Sequence, residues 1–381
     1  MEPGKVGIGT WSGGRYLGYG DKVDAERLER ILRPGAGIDT VMSADTYGAG
    51  EADSLLGRAI AGCDRASFSL IGAVGHDFYE GERDGPRGFP RFTDPRLRGP
   101  GGYADYLKMA TERSLERLGT DRFDLLLLHN PDRIGYSSRA VWDGMAALRE
   151  AGLTDSIGVA PGPANGFTLD LIGLLERYGD RIDWAMVILN PFEPWPGELV
   201  LDAAATAGVS LITRVVDYGG LFWDDLPENE EFVANDHRRF RPGGWVARGR
   251  ERLDQIRPIA ERHGLTLMQL ACLWNLSHPA VRCTVPTLIQ EAGAQARPIE
   301  DKRVELAELN SLPEVSLSPE EVSEIRRVGD NFGSMALKGG NPQHEGEARP
   351  DRWPLSPELV DAGARWGIDP DRDLVQSPAA G

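Results

Sequence analysis

The chain has 381 residues, 41% apolar and 8% aromatic, enough to bury one large core. Asp and Glu outnumber Lys and Arg by 59 to 42, and a net charge of −17 without a basic stripe argues against a nucleic-acid partner. No run of about 18 apolar residues occurs and Met1-Glu2-Pro3-Gly4-Lys5 does not read as a signal peptide, so the expectation is a cytoplasmic protein with no membrane partner.

Short runs rich in Val, Ile and Leu alternate with amphipathic stretches, the pattern of units that feed a parallel sheet. The first strand is expected at Val6–Thr10, followed by a helix over Asp24–Leu32. Strand Thr40–Ala44 leads to helix Glu51–Ile60, and strand Ser69–Val74 leads through a long loop, 75–102, to helix Tyr103–Leu118. Strand Phe123–Leu128 precedes helix Ser138–Ala151, strand Ser156–Val159 follows, and strand Trp184–Ile188 precedes helix Gly197–Ala207. Strand Val209–Thr213, a second long loop, 217–246, and strand Val281–Pro286 complete the set. Most of these helices open on Ser, Asp, Gly or Glu, as N-termini prefer.

Eight strands with intervening helices suit an α/β fold closed as a (β/α)8 TIM barrel better than an open doubly wound sheet. The barrel is expected over residues 1–332 and a C-terminal extension over 333–381. That extension is rich in Pro, Gly and charge, yet Trp353, Leu355, Leu359 and Trp366 equip it to pack down, either across a pocket mouth or as a surface wrap. Loops that follow strands build the active-site face of such barrels, so the long loops after strands 3 and 7 should wall the pocket. Cys63, Cys272 and Cys283 lie far apart without metal-ligand spacing and read as reduced, mostly buried thiols; no metal is expected. Lysine occurs five times only, at positions 5, 22, 108, 302 and 338, which leaves a short list for any catalytic lysine.

Two segments carry more specific information. One is Gly37-Ile38-Asp39-Thr40-Val41-Met42-Ser43-Ala44-Asp45-Thr46-Tyr47-Gly48, followed by Glu51 and Leu55-Leu56-Gly57; the other is Phe123-Asp124-Leu125-Leu126-Leu127-Leu128-His129-Asn130-Pro131-Asp132. With weaker matches at Val6-Gly7-Ile8-Gly9-Thr10-Trp11 and Gly152…Ile157-Gly158-Val159, the chain from about residue 5 to 330 resembles the aldo-keto reductases. In that family a Tyr hydroxyl gives a proton to the substrate carbonyl while nicotinamide delivers hydride, a His orients the carbonyl, and a Lys–Asp pair makes the Tyr more acidic. The resemblance implies Tyr47 as the acid and His129 as the orienting group.

Other positions depart from the family pattern. Met42 stands where the resemblance implies the Asp, Ala73 where it implies the Lys, and Ala160, Pro161 and Met186 where nicotinamide-amide contacts are implied. Arg214 falls where an aromatic would stack on the nicotinamide. After the eighth strand, Arg297, Lys302 and Arg303 would meet a cofactor phosphate only if a dinucleotide binds; the commoner reading of such residues is a solvated helix face. The cofactor is left open between none, NADP(H) and NAD(H).

The expected substrate pocket comprises Trp11, Asp45, His76, Asp77, Asn130, Arg214 and Trp223, with Arg214 lowering the Tyr47 pKa and His76–Asp77 as an acid–base pair. The preferred reading is a redox-silent lyase, dehydratase, isomerase or cyclase acting on a small oxygenated substrate by Tyr/His chemistry. The alternatives are an NAD(P)H-dependent carbonyl reductase or sugar dehydrogenase with substituted supporting residues, and a non-catalytic binding or regulatory subunit. Oligomeric state is left open.

Overall fold

The computed structural model describes residues 1–85, 88–226, 232–233, 235–293, 295–311 and 316–375. Eight strands, β1 (Gly7–Gly9), β2 (Thr40–Met42), β3 (Ser69–Val74), β4 (Phe123–His129), β5 (Thr154–Ala160), β6 (Trp184–Ile188), β7 (Ser210–Arg214) and β8 (Val281–Val285), pair in parallel in sequence order. Val6 bridges Thr284 beside β8 in parallel, so the sheet curls back on itself as the (β/α)8 barrel.

The apolar run of β4 shows why the strands are hydrophobic on both sides. Leu125 and Leu127 join Ile71, Ala73, Met186 and Ile212 in the barrel interior, whereas Leu126 and Leu128 join the larger core beneath the helices. Asp124, the polar member of that run, is buried with a purpose: its carboxylate accepts from the Leu70 amide and from Arg65, both at 2.7 Å, pinning β3 to β4.

The helices are α1 (Ala25–Leu32), α2 (Glu51–Ile60), α3 (Tyr103–Leu118), α4 (Arg133–Ser137), α5 (Arg139–Glu150), α6 (Thr168–Tyr178), α7 (Leu201–Ala207), α8 (Trp245–Arg262), α9 (Leu267–Leu276), α10 (Ile299–Ser311), α11 (Pro319–Val328), α12 (Pro357–Arg365) and α13 (Pro370–Asp373). Asp24 and Asp132 cap α1 and α4 through their side chains, and capping boxes start α9 (Thr266 with Gln269) and α11 (Ser318 with Glu321). The expected helix Gly197–Ala207 divides into a 3₁₀ turn, Gly197–Val200, and α7. Strands β1 and β2 are shorter than expected because the chain leaves the sheet early, into the turns that carry Trp11 and Tyr47.

Beyond α11 the described chain packs on the loops after β5, β6 and β7 and along α6. Lys338 N–H donates to Asn165 O at 2.7 Å, and strand β9 (Gly339–Asn341) pairs with β10 (Arg352–Pro354). The buried Trp353 donates to Asp170 Oδ1 on α6 at 2.8 Å, while Gly340 N–H donates to Asp170 Oδ2 at 2.8 Å. Helix α12 lies along α6, with Arg365 and Trp366 both on Glu176. Residues 376–381 of the expected extension lie outside the described residues, as do 227–231 and 234 of the loop after β7. Cys272 and Cys283 are buried, Cys63 is half-buried, and all three are free thiols.

Candidate active site

The C-terminal ends of the strands converge on a pocket lined by Trp11, Tyr19, Tyr47, His129, Asn130 and Arg214 above a floor that includes Met42, Ala44, Ala160 and Met186. Strand geometry positions the polar members: His129 and Arg214 are the last residues of β4 and β7. Tyr47 opens a tight turn in which Gly48, Ala49 and Gly50 all have positive φ, 61°, 52° and 95°. Gly48 suits that conformation, and a Cβ there would stand 2.9 Å from the Glu51 Cβ. Asn130 also takes a left-handed conformation, φ 46°, its amide held by Ala160 O at 2.7 Å.

Tyr47 and His129 meet edge to face, ring centroids 5.7 Å apart at 89°. Burial is the main influence on both. It pushes the Tyr47 phenol up to about 12, with Arg214 pulling the other way and Tyr19 adding to the rise. Burial also drives His129 down to about 3, assisted by the positive charges of Arg91 and Arg214. The imidazole is therefore neutral at physiological pH, and its Nδ1 has no hydrogen-bond partner. The expectation that Arg214 acidifies Tyr47 has the right direction, but desolvation outweighs it.

Arg214 reaches this pocket from the wall opposite the position the resemblance implies for a lysine. Its Nη2 donates to Pro161 O at 3.0 Å and to Gly162 O, its Nε has no acceptor, and no carboxylate lies within 4.0 Å among the described residues. Met42 and Ala73 sit 3% and 2% exposed in the apolar barrel interior, so the positions where the resemblance implies an Asp and a Lys are filled by mutually compatible apolar contacts.

Several expected pocket residues stand elsewhere. Asp45 is fully buried behind the mouth with neither carboxylate oxygen partnered, and burial together with Asp53 holds its pKa well above the usual range. His76 stands behind His129, centroids 5.3 Å apart. Its Nε2 lies 3.1 Å from Asn130 Nδ2, and its Nδ1 lies 3.1 Å from both Phe89 O and Arg91 Nη1. Asp77 is not its partner: that carboxylate binds Arg98 at 2.5 Å and the amides of Tyr79 and Glu80. Trp223 is also misplaced, because the ring is 1% exposed in the core and its Nε1 donates to Thr287 O at 2.9 Å. The loop after β7 thus supplies core at this point, not a substrate wall.

The three basic residues after β8 form neither a solvated helix face nor a free phosphate cluster. Lys302 is buried, ion-paired with Asp225 at 2.7 Å and bonded to Ile289 O at 2.7 Å. Arg303 donates to Ile31 O, Arg33 O and Gly35 O, closing the end of α1. Arg297, paired with Glu305 at 2.5 Å, is the one of the three with its side chain more than a third exposed. The loop after β1 also contributes Leu17 and Tyr19, which no sequence motif marks. No group of three metal-ligating side chains occurs among the described residues, and no helix there is long and apolar enough to cross a membrane.

The parallel eight-stranded barrel thus sets the half-buried Tyr47 beside the buried His129 at its C-terminal mouth. Residues 5–328 match the aldo/keto reductase family model, and the chain belongs to the aldo/keto reductase family. It is similar to a 6-dehydroglucose reductase of Agrobacterium fabrum, 23% identical with 74% of this chain and 82% of that protein covered. It is also similar to an Arabidopsis thaliana protein named "Probable voltage-gated potassium channel subunit beta", 23% identical over 77% of this chain and 88% of that one. Among solved structures, a glycerol dehydrogenase of Gluconobacter oxydans shares the fold with a TM-score of 0.63 at 19% identity, covering 85% of this chain and 90% of that one.

Proposed function

We propose that the protein is a nicotinamide-dependent carbonyl reductase with an altered set of supporting residues. The observation that carries this reading is the Tyr47–His129 pair, edge to face at the mouth of a barrel of this family. The reductase and dehydrogenase names of its relatives move the balance from redox-silent chemistry to hydride chemistry.

The donor set fits a nicotinamide ring through Arg214, whose guanidinium can serve a carboxamide oxygen, while Met186 and Ala160 offer apolar surface to the flat ring. When bound, the reduced nicotinamide supplies the hydride. Tyr47 then protonates the developing alkoxide, whose conjugate acid is weaker than even a phenol raised to about 12. Neutral His129 donates one N–H to orient the carbonyl, and the apolar floor keeps water from competing. The same high pKa leaves roughly one Tyr47 in 10⁵ ionised at pH 7, which disfavours the oxidative direction.

A redox-silent lyase or isomerase is the second reading, favoured by the loss of polar side chains at Met42, Ala73, Ala160 and Met186. Titration with NADPH and NADH, followed by tryptophan quenching and calorimetry, separates the two. Saturable binding with turnover of small aldehydes, ketones or sugars is expected; no binding up to millimolar concentration would eliminate the reductase.

A further inference from the structure

We infer that Arg214 makes the site select the reduced nicotinamide dinucleotide and expel the oxidised one, by charge. The inference rests on the reductase reading and adds a direction to it. Proton and hydride must reach opposite ends of one carbonyl bond, with reacting atoms about 3–3.5 Å apart. A hydride donor working with Tyr47 therefore shares the pocket that Tyr47, His129 and Arg214 line together. The reduced ring is neutral and the oxidised ring carries one positive charge.

Among the described residues, nothing in the lining neutralises Arg214, and none of the side chains that form the pocket is a carboxylate. Glu193 is committed to Asn165 at 3.3 Å and lies 4.0 Å from Arg241, and Asp217 accepts from the amides of Thr287 and Gly220. Arg91, the second cation acting on His129, is also buried without a carboxylate, its contacts being Asn130 O and the His76 ring. A guanidinium does not deprotonate under physiological conditions. The bonds from Nη2 to Pro161 O and Gly162 O hold it at the wall, so it cannot swing aside when the ring becomes cationic. The same fixed charge attracts the incipient alkoxide beside Tyr47. After transfer, repulsion acts on the oxidised cofactor and speeds its departure.

At a separation of about 5 Å and an effective dielectric constant of about 20, with some solvent screening, the preference should be about 10- to 100-fold in dissociation constant. Each tenfold raises the midpoint potential of the bound couple by about 30 mV. The test is calorimetric and fluorescence titration of wild type, Arg214→Gln and Arg214→Lys with NADPH and with NADP⁺. Wild type and Arg214→Lys should bind NADPH at least tenfold more tightly; in Arg214→Gln the ratio should fall to within about threefold, chiefly because NADP⁺ binds better. Equal affinities in wild type, or an unchanged ratio in Arg214→Gln, would overturn the inference and leave the reductase standing. Failure of wild type to bind either form would overturn the reductase itself and the inference with it.

Discussion

Installing an Asp–Lys pair in the barrel floor, where the resemblance implies one, measures what such a pair would do to Tyr47. Ala73 is 2% exposed among apolar side chains, so Ala73→Lys alone buries an ammonium with no counter-charge and should cost about 3–5 kcal/mol. Met42→Asp alone should be comparably destabilising, since it replaces a packed thioether with an unpaired carboxylate. Register brings the two together: Met42 pairs with Ile71, and Ala73 lies two residues further along the same face of β3, about 6.6 Å from Ile71 and so about 8 Å from Met42, within reach of a lysine side chain. The double variant should therefore recover much of the loss, with a coupling of at least about 2 kcal/mol by urea unfolding of all four proteins. An ammonium about 4 Å from the phenol, at an effective dielectric constant near 20, is worth about 4 kcal/mol, roughly three pKa units, and the introduced carboxylate beside it offsets most of that. Tyr47 should move down from about 12 by about one pKa unit, and the alkaline limb of the pH–rate profile for carbonyl turnover should move with it. A folded double variant that shows the coupling but an unmoved profile would refute Tyr47 as the titrating acid. Absence of coupling would refute the proximity of the two positions.

Other consequences are simpler to read. Tyr47→Phe should lower kcat about 10²- to 10⁴-fold while leaving the melting temperature within a few degrees, and a variant of wild-type rate would remove Tyr47 from the chemistry. Lys302→Met leaves Asp225 buried and unpaired, so it should destabilise by about 3–5 kcal/mol yet leave NADPH affinity per folded molecule unchanged; a selective loss of affinity would return Lys302 to the cofactor site. Burial raises Asp170 from 3.8 to about 6, so the folded state holds its proton more tightly than the unfolded one and stability falls as pH rises from about 4 to about 7. The loss is up to about 3 kcal/mol, and wild type should weaken relative to Asp170→Asn over that range in urea melts; a pH-independent difference would contradict the assignment.

The eight strands and the meeting of Tyr47 with His129 were legible because each rests on a local pattern: continuous apolar runs for strands buried on both faces, and two ungapped motifs, one ending β4 and the other opening the turn beyond β2. What was not legible depends on which way a polar side chain turns once the chain folds. His76 and Asp77 are neighbours in sequence, but Arg98 on the far end of the long loop draws Asp77 away from the imidazole. Lys302 reads as a surface lysine until α10 packs and Asp225 proves to be its buried partner. Trp223 follows a strand, as pocket residues do, yet a 3₁₀ turn after β7 rotates it into the core. Tyr19 had only its position on the loop after β1 to mark it.

The substitutions cohere electrostatically. An Asp–Lys pair contributes no net charge, so replacing both by Met42 and Ala73 leaves no buried ion stranded in the floor, whereas replacing either alone would. The positive charge that remains at the mouth comes from β7, and carbonyl dipoles hold it in place of a carboxylate. A carboxylate would cancel most of the field of Arg214 at a few ångströms; two carbonyl oxygens fix the guanidinium while leaving most of that field to act on its neighbours. That is why Arg214 acts on both Tyr47 and His129. It also gives the altered site a different balance: a weaker pull on the Tyr47 proton than an adjacent lysine would exert, and a stronger discrimination against any cation that forms in the pocket.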